Sequence, residues 1–142
     1  YDKFITDVDI NLNFFDGQNL TFKLKSCSFE DLLSNSDFIT IHIPASDKYI
    51  IDSNEFQKMK NGSGILNLSR GGLINEEELI KNIDSGKLSF AAIDTFEGEP
   101  NPSIKILMNP NISLTPHIGA ATNEAQDRIG LELANKINDI LG

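Results

Sequence analysis

Short apolar segments that recur along the chain restrict its fold more than any other feature. Four of them are 37–43 (DFITIHI), 64–68 (GILNL), 88–96 (LSFAAIDTF) and 112–114 (ISL). They are rich in β-branched and other apolar residues, which predicts short buried strands. The stretches between them are long enough to hold helices. The alternation therefore predicts right-handed βαβ units on a parallel sheet.

The helices that this pattern needs have recognisable boundaries. Residues 76–83 (EEELIKNI) read as a helix with Asn75 as its N-cap and Gly86 just beyond its end. A short helix is predicted over 54–61 and a long amphipathic helix over 123–141. The predicted fold class is α/β, with a doubly wound, Rossmann-like parallel sheet.

Residues 9–25 (DINLNFFDGQNLTFKLK) interrupt this order. Apolar residues alternate in two arms on either side of Asp16-Gly17, which predicts a β-hairpin with a connection of four or five residues. We interpret it as an insertion on the α/β framework. A solvent-facing flap, an extension of a sheet edge and an oligomer contact are all open as its role.

Size and charge narrow the class of protein. A chain of 142 residues, 39% of them hydrophobic, predicts a single domain. No apolar run approaches the roughly 18 residues of a membrane span. A net charge of −9 argues against nucleic acid and anionic membranes as partners. One cysteine, Cys27, cannot form an internal disulfide, which favours a reducing, cytoplasmic location. The chain begins with Tyr1 and not Met, so we expect it to be a piece of a longer protein.

Ionisable side chains follow three of the predicted strands. Arg70 follows 64–68, Glu99 follows 88–96 and His117 follows 112–114. Ligands of parallel sheets bind beyond the carboxyl ends of the strands, so these groups are expected to meet there. Histidine exchanges protons near neutral pH, a carboxylate can orient its ring, and arginine binds carboxylates through a planar fork. The set suits acid/base chemistry on a carboxylate-bearing substrate, and a redox reaction would need a cofactor.

Structural interpretations stand beside these. His117 could be a structural residue at a strand end, and His42 is expected to be a wall or core residue. The run 76–78 (EEE) is expected to be a helix N-terminus favoured by the macrodipole. No metal site is predicted, because Glu97 and Glu99 have no second cluster of ligands.

Three motifs carry a resemblance to a known family. Residues 67–76 (NLSRGGLINE), 92–100 (AIDTFEGEP) and 115–120 (TPHIGA) resemble the NAD-dependent D-2-hydroxyacid dehydrogenase family, in the family's order. The resemblance covers 1–5 and 29–142. The last motif and the residues after it look most like the family's D-3-phosphoglycerate dehydrogenase members.

The resemblance implies a role for each site residue. Arg70 would bind the substrate carboxylate, His117 would be the general acid/base, and Glu99 would support the histidine. Asp2 would end the second Rossmann strand and hold the adenosine ribose, which favours NAD over NADP. Asp94 would face the nicotinamide. The full set implied around the cofactor NAD is Asp2, Ile43, Leu68, Ser69, Arg70, Asp94, His117, Gly119 and Ala120.

The departures from the family are equally specific. The glycine fingerprint GxGxxG and the strand before it are absent and are expected upstream of Tyr1. The separate substrate domain is also missing, and loop 45–49 looks short. Residues 1–142 are therefore interpreted as a partial dinucleotide-binding domain, truncated at the N-terminus, that binds NAD weakly by itself.

The function implied by the resemblance is hydride transfer between NAD and a D-2-hydroxyacid, with 3-phosphoglycerate of serine biosynthesis as the expected substrate. The partners expected are a small 2-hydroxyacid or 2-oxoacid and, in the full-length protein, a second copy or more. The alternative is a non-catalytic NAD-sensing or dimerisation module of the same fold.

Overall fold

The computed structural model describes residues 1–141, which form two sheets and five helices. The strands are β1 (Asp7–Asn13), β2 (Asn19–Lys25), β3 (Phe38–Ile41), β4 (Ser63–Asn67), β5 (Leu88–Ile93) and β6 (Ile112–Leu114). The helices are α1 (Phe29–Asn35), α2 (Ser53–Lys58), α3 (Glu76–Asp84), α4 (Ile104–Leu107) and α5 (Asn123–Leu141).

The main sheet is parallel, in the order β3-β4-β5-β6, which confirms the predicted Rossmann-like α/β fold. Its strands end level with one another, because Ile41 pairs with Asn67, Asn67 with Ile93, and Ile93 with Leu114. The residues that follow each strand therefore emerge along one edge of the sheet.

Two of the strands are shorter than predicted. The sequence predicted strands over 37–43 and 88–96, but β3 ends at Ile41 and β5 at Ile93. The apolar residues beyond these points belong to loops: the Ile43 carbonyl accepts a hydrogen bond from the Ser69 hydroxyl instead of pairing in the sheet. Past β5 the chain stays buried through Phe96, whereas past β3 Ile43 is 38% exposed.

One hydrophobic core lies between the sheet and helices α1 to α4. Ile65 of β4 and the helical residues Leu79 and Ile106 are completely inaccessible to solvent. Burial of a side chain of this size stabilises the fold by about 1.5–3 kcal/mol. The core thus fixes the position of the sheet edge from which the loops emerge.

Helix α3 has the boundaries that local chemistry predicted. The Asn75 side chain accepts a hydrogen bond from the amide of Glu78, and Gly86 follows the helix with φ +75°. Glycine adopts a left-handed φ at lower free-energy cost than other residues, so the helix ends there. Helix α2 is shorter than predicted, because Met59 is extended and its side chain is buried in the core.

The N-terminal residues correct one expectation. Tyr1 and Asp2 do not end a strand, and the first strand in the described residues begins at Asp7. Asp2 instead accepts hydrogen bonds from the amides of Phe4 (2.7 Å) and Ile5 (3.0 Å) through Oδ1. These two bonds lower the pKa of the Asp2 carboxyl. The carboxylate thus stabilises a local turn beside the hairpin.

The hairpin predicted over 9–25 is present, formed by β1 and β2 in an antiparallel pair from Asp7↔Lys25 to Asn13↔Asn19. Gly17 takes φ +85° in its connection. The cross-strand partners Val8↔Leu24, Ile10↔Phe22 and Leu12↔Leu20 are apolar and exposed. That the hairpin is an insertion stays a prediction.

Candidate active site

The loop after β4 is shaped by the last residue of that strand. Asn67 is 2% exposed, donates through Nδ2 to the Arg70 carbonyl (2.8 Å), and accepts through Oδ1 from the Ser69 amide (3.2 Å). A buried amide must satisfy its hydrogen bonds, and here the loop satisfies them. Arg70 is consequently held at the sheet edge, where its guanidinium is exposed and donates to the Ser69 carbonyl (2.6 Å).

Asp94 organises the loop after β6. Its Oδ1 accepts from the Thr115 hydroxyl (2.6 Å) and the Ile118 amide (2.9 Å), and its Oδ2 accepts from the Gly119 amide (2.9 Å). Burial raises the pKa of this carboxyl, which is 1% exposed, but the three hydrogen bonds outweigh burial and the pKa is lowered. The ionised carboxylate therefore fixes the loop that carries His117.

His117 and Glu99 form a hydrogen-bonded dyad. Nδ1 of His117 lies 2.8 Å from Oε2 of Glu99, while Oε1 of Glu99 accepts from the Phe96 amide (2.8 Å). The Phe96 amide, and then the His117 ring, lower the pKa of the Glu99 carboxyl. An ionised carboxylate can only accept, so the Nδ1 proton is assigned to the ring and Nε2 is free to exchange a proton with a ligand.

The backbone at His117 is strained. It is the one non-glycine residue with a positive φ (+53°) in the described chain. This left-handed region is costly for most side chains and is found where the surrounding structure enforces it, often at functional sites. The bonds from Asp94 on both sides of His117 supply that enforcement.

A cleft of about 920 Å³ contains Arg70, Glu99 and His117. The rest of its wall is formed by loop 45–49, Asp52, the two glycines after Arg70, and residues 96–98. The structure thus brings together the three residues to which the resemblance gave catalytic roles. A smaller, more apolar cavity of about 460 Å³ also contacts the dyad and is lined by Leu107 and Leu114.

The other residues expected around the cofactor are not among those that line this cleft. Ser69 and Ile43 are joined by their hydrogen bond at the edge of the sheet, and Leu68 beside them is exposed. Gly119 lies against Asp94, and the Ala120 carbonyl accepts from Gln126. Asp2 lines a separate pocket at the base of the hairpin. The structure does not bring Asp2 to the cleft.

Sequence reasoning missed a reciprocal pair beside the dyad. The Glu97 amide donates to Oε1 of Glu76 (2.6 Å), and the Glu76 amide donates to Oε1 of Glu97 (3.1 Å). Tyr49 donates from its hydroxyl to Oε2 of Glu97 (3.1 Å), which raises the pKa of the tyrosine. The only signal in the sequence was the placement of Glu76 at a helix start, which the macrodipole already explains.

The fold and the site together define a dinucleotide-binding α/β domain with a hydrogen-bonded histidine–glutamate dyad beyond its strand ends. Residues 8–119 match the model of the D-isomer specific 2-hydroxyacid dehydrogenase NAD-binding domain. The chain belongs to this family. The resemblance seen in the three motifs and the expected cofactor, NAD, are confirmed by this membership.

Individual relatives agree with the family. The chain is 44% identical over 118 residues to hydroxypyruvate reductase of Thermotoga maritima, covering 80% of this chain and 39% of that protein. It is 40% identical over 117 residues to D-3-phosphoglycerate dehydrogenase of Archaeoglobus fulgidus, covering 80% of this chain and 22% of that protein. The crystal structure of a glyoxylate reductase from Paecilomyes thermophila superposes with a TM-score of 0.72 at 36% identity, covering 80% of this chain and 35% of that one.

The chain spans well under half the length of these relatives. The residues present fit the nicotinamide end of the cofactor, because the wall of the cleft has residues without side chains, Gly71, Gly72 and Gly98, beside Arg70 and His117. Gly119 lies outside this wall and packs on Asp94, where a Cβ would lie 3.1 Å from Oδ2. The GxGxxG sequence that would hold the pyrophosphate does not occur in the 142 residues. No helix within residues 1–141 has the length and apolarity to cross a membrane.

Proposed function

We propose that this domain serves an oxidoreductase that transfers a hydride between NAD and a D-2-hydroxyacid. The observation that supports this most directly is the His117–Glu99 hydrogen bond of 2.8 Å in the cleft that also contains Arg70. Oxidation of an alcohol with an adjacent carboxylate requires a proton acceptor for the hydroxyl and a binding group for the carboxylate. A histidine oriented by a carboxylate can serve as the first, and an arginine in the same cleft as the second.

His117 is the proposed acid/base. In the oxidative direction Nε2 takes the proton of the substrate hydroxyl, and Glu99 on the other ring nitrogen stabilises the imidazolium that forms. In the reductive direction the ring returns this proton. Such catalysis contributes roughly 10²–10⁴-fold to the rate. NAD supplies the hydride chemistry when bound.

Arg70 is the proposed anchor of the substrate carboxylate. Its guanidinium is exposed at the cleft and its own backbone carbonyl is held by Asn67, so the side chain projects from a fixed point. A planar fork binds a carboxylate through two parallel hydrogen bonds and fixes the reacting carbon relative to Nε2. The remaining cofactor contacts are proposed for Ile43, Leu68, Ser69, Asp94, Gly119 and Ala120, with Asp2 toward the ribose.

Among substrates, 3-phosphoglycerate is the proposed one. Several of the curated relatives are D-3-phosphoglycerate dehydrogenases, including the one from Archaeoglobus fulgidus. Serine biosynthesis, a cytoplasmic location and a homodimer or larger assembly belong to the same proposal. The hydroxypyruvate reductase of Thermotoga maritima supports the competing choice of a smaller 2-oxoacid.

The test compares kcat/KM of the natural full-length protein for three substrate pairs. The absorbance of NADH reports each reaction. A preference for 3-phosphoglycerate over D-glycerate/hydroxypyruvate and glycolate/glyoxylate is expected. A preference for either small pair would reject 3-phosphoglycerate while keeping the reaction class. Absence of turnover with every pair would favour the non-catalytic module, which the exposed apolar face of the hairpin supports as a dimerisation surface.

A further inference from the structure

Glu76 is buried although the start of its helix does not require it. Asn75 already caps α3 through its bond from the Glu78 amide, and Glu77 and Glu78 already place negative charge in the first turn. Burial of a carboxylate is costly unless hydrogen bonds compensate for it. Burial, with the nearby Glu97 and Glu99 charges adding to it, raises the pKa of Glu76. A second role is needed to explain this carboxylate.

The contacts of Glu76 lead to the dyad in three steps. Its Oε1 accepts from the amide of Glu97 at 2.6 Å. The preceding amide, that of Phe96, donates to Oε1 of Glu99 at 2.8 Å. The other oxygen of Glu99 lies 2.8 Å from Nδ1 of His117. Two successive amides of one turn therefore donate to two different carboxylates. One belongs to Glu76, which is fixed on α3, and the other to Glu99, which is hydrogen-bonded to the ring of His117.

We propose that Glu76 is a positioning residue: by accepting from the Glu97 amide, it fixes the turn 96–99 so that the Glu99 carboxylate stays on Nδ1 of His117. Helix α3 then supplies the reference point for the dyad. The inference deepens the proposed function, since it concerns the same dyad, and it explains why an acid is buried beside two others.

The tautomer of His117 reports this role without any need for turnover. A bond to the carboxylate holds the proton on Nδ1, and its loss releases the neutral ring to the Nε2–H form. Nitrogen NMR of the imidazoles in the full chain, at a pH where they are neutral, measures the ratio of the two tautomers. Glu76→Ala is expected to shift the His117 ratio toward Nε2–H by about fivefold, equivalent to about one ordinary hydrogen bond.

Two variants and an internal reference control this result. Glu76→Gln keeps an acceptor oxygen and should retain the wild-type ratio. Glu77→Ala changes the charge of the same helix end without a contact to Glu97 and should also retain it. His42, the only other histidine, is hydrogen-bonded to Thr40 and should be unchanged in every variant.

An unchanged His117 tautomer in folded Glu76→Ala would overturn the proposal. If that variant does not fold, Glu76→Asp keeps the charge but shortens the reach, and an unchanged ratio there would overturn it equally. Because the ratio is measured without substrate or cofactor, failure of this inference is distinguishable from failure of the dehydrogenase assignment, which only the turnover assays decide.

Discussion

Gly71 lies directly against the carbonyl oxygen of Phe96, so closely that a Cβ at position 71 would be 1.9 Å from it. Gly71 belongs to the loop that carries Arg70, and Phe96 to the loop that carries Glu99. The contact sets how closely the loop of Arg70 approaches the loop that carries Glu99. Any residue with a Cβ at position 71 would clash with this carbonyl, so only glycine fits there.

Gly71→Ala should therefore separate the two loops. Because the neighbour is backbone and cannot rotate away, the free energy of unfolding should fall by about 1–3 kcal/mol, as for overpacking. Denaturant unfolding of the chain measures it. Gly130→Ala is the matched control: it adds the same methyl in α5, where nothing lies within 4 Å, and should stabilise the helix. Equal stability of Gly71→Ala and wild type would show that the loops can move apart freely.

His117→Asn should lower kcat of the full-length enzyme by about 10²–10⁴-fold, because it removes the group that exchanges the substrate proton. NAD affinity should change little, since the ring acts on the substrate. Steady-state kinetics and a cofactor titration give the two quantities. His42→Asn serves as the control and should keep kcat. Near-normal turnover in His117→Asn would reduce the ring to a structural role.

Arg70→Lys should chiefly raise KM. Lysine keeps the positive charge but replaces the planar fork with a point charge, so that the carboxylate is attracted without being oriented. The same change at Arg128, the only other arginine and an exposed residue of α5, should leave KM unchanged. A KM equal to that of wild type in Arg70→Lys would move the substrate carboxylate elsewhere in the cleft.

Asp94 should make stability depend on acidity. The pKa of Asp94 in the folded protein lies below its ordinary value of 3.8, so the ionised carboxylate stabilises the fold at any pH above 3.8. This contribution is lost as the pH falls from 3.8 through the folded pKa. Asp94→Asn should lower the free energy of unfolding at pH 7, and the difference from wild type should shrink in strong acid. Unfolding curves across this range provide the test. A difference independent of pH would contradict the assignment.

Thr95 carries a hydroxyl that is 1% exposed as a residue and has no hydrogen-bond partner within residues 1–141. Thr95→Val removes the unsatisfied group while keeping the shape, and should raise the free energy of unfolding by about 1 kcal/mol. Thr115→Val, which breaks the bond to Asp94, should have the opposite sign. Thermal unfolding of the two variants compares them, and a loss of stability in Thr95→Val would reveal a missed partner.

Local chemistry explains where sequence reasoning succeeded. The start and end of α3 depend on Asn75 and Gly86, whose preferences operate within a few residues. The parallel order of the strands follows from their alternation with helices. Helix α1 was missed because its signal is short, although Ser28 accepts from the Asp31 amide as an N-cap and Leu33 is buried. Helix α4 is a single turn, held by the burial of Ile106.

A contact distant in sequence explains one failure, and a local turn explains another. Glu76 was interpreted from its place in the helix, but its environment is decided by a residue 21 positions away. Asp2 was placed on a strand by resemblance, and in the described chain its carboxylate bonds to the amides two and three residues further on. The placement of Arg70, Glu99 and His117 in one cleft follows from the level strand ends. The roles proposed for them come from the resemblance.

The closed base of the hairpin gives it a separate use. The Ser26 amide donates to the Thr6 carbonyl (2.7 Å), so the chain leaves the hairpin where it entered. A segment whose two ends are already joined can be replaced by a short linker, or exchanged for a fluorescent or affinity tag, with its ends kept in place. Positions 6 and 26 are therefore the natural grafting sites for labelling the protein while the cleft of Arg70 and His117 is left untouched.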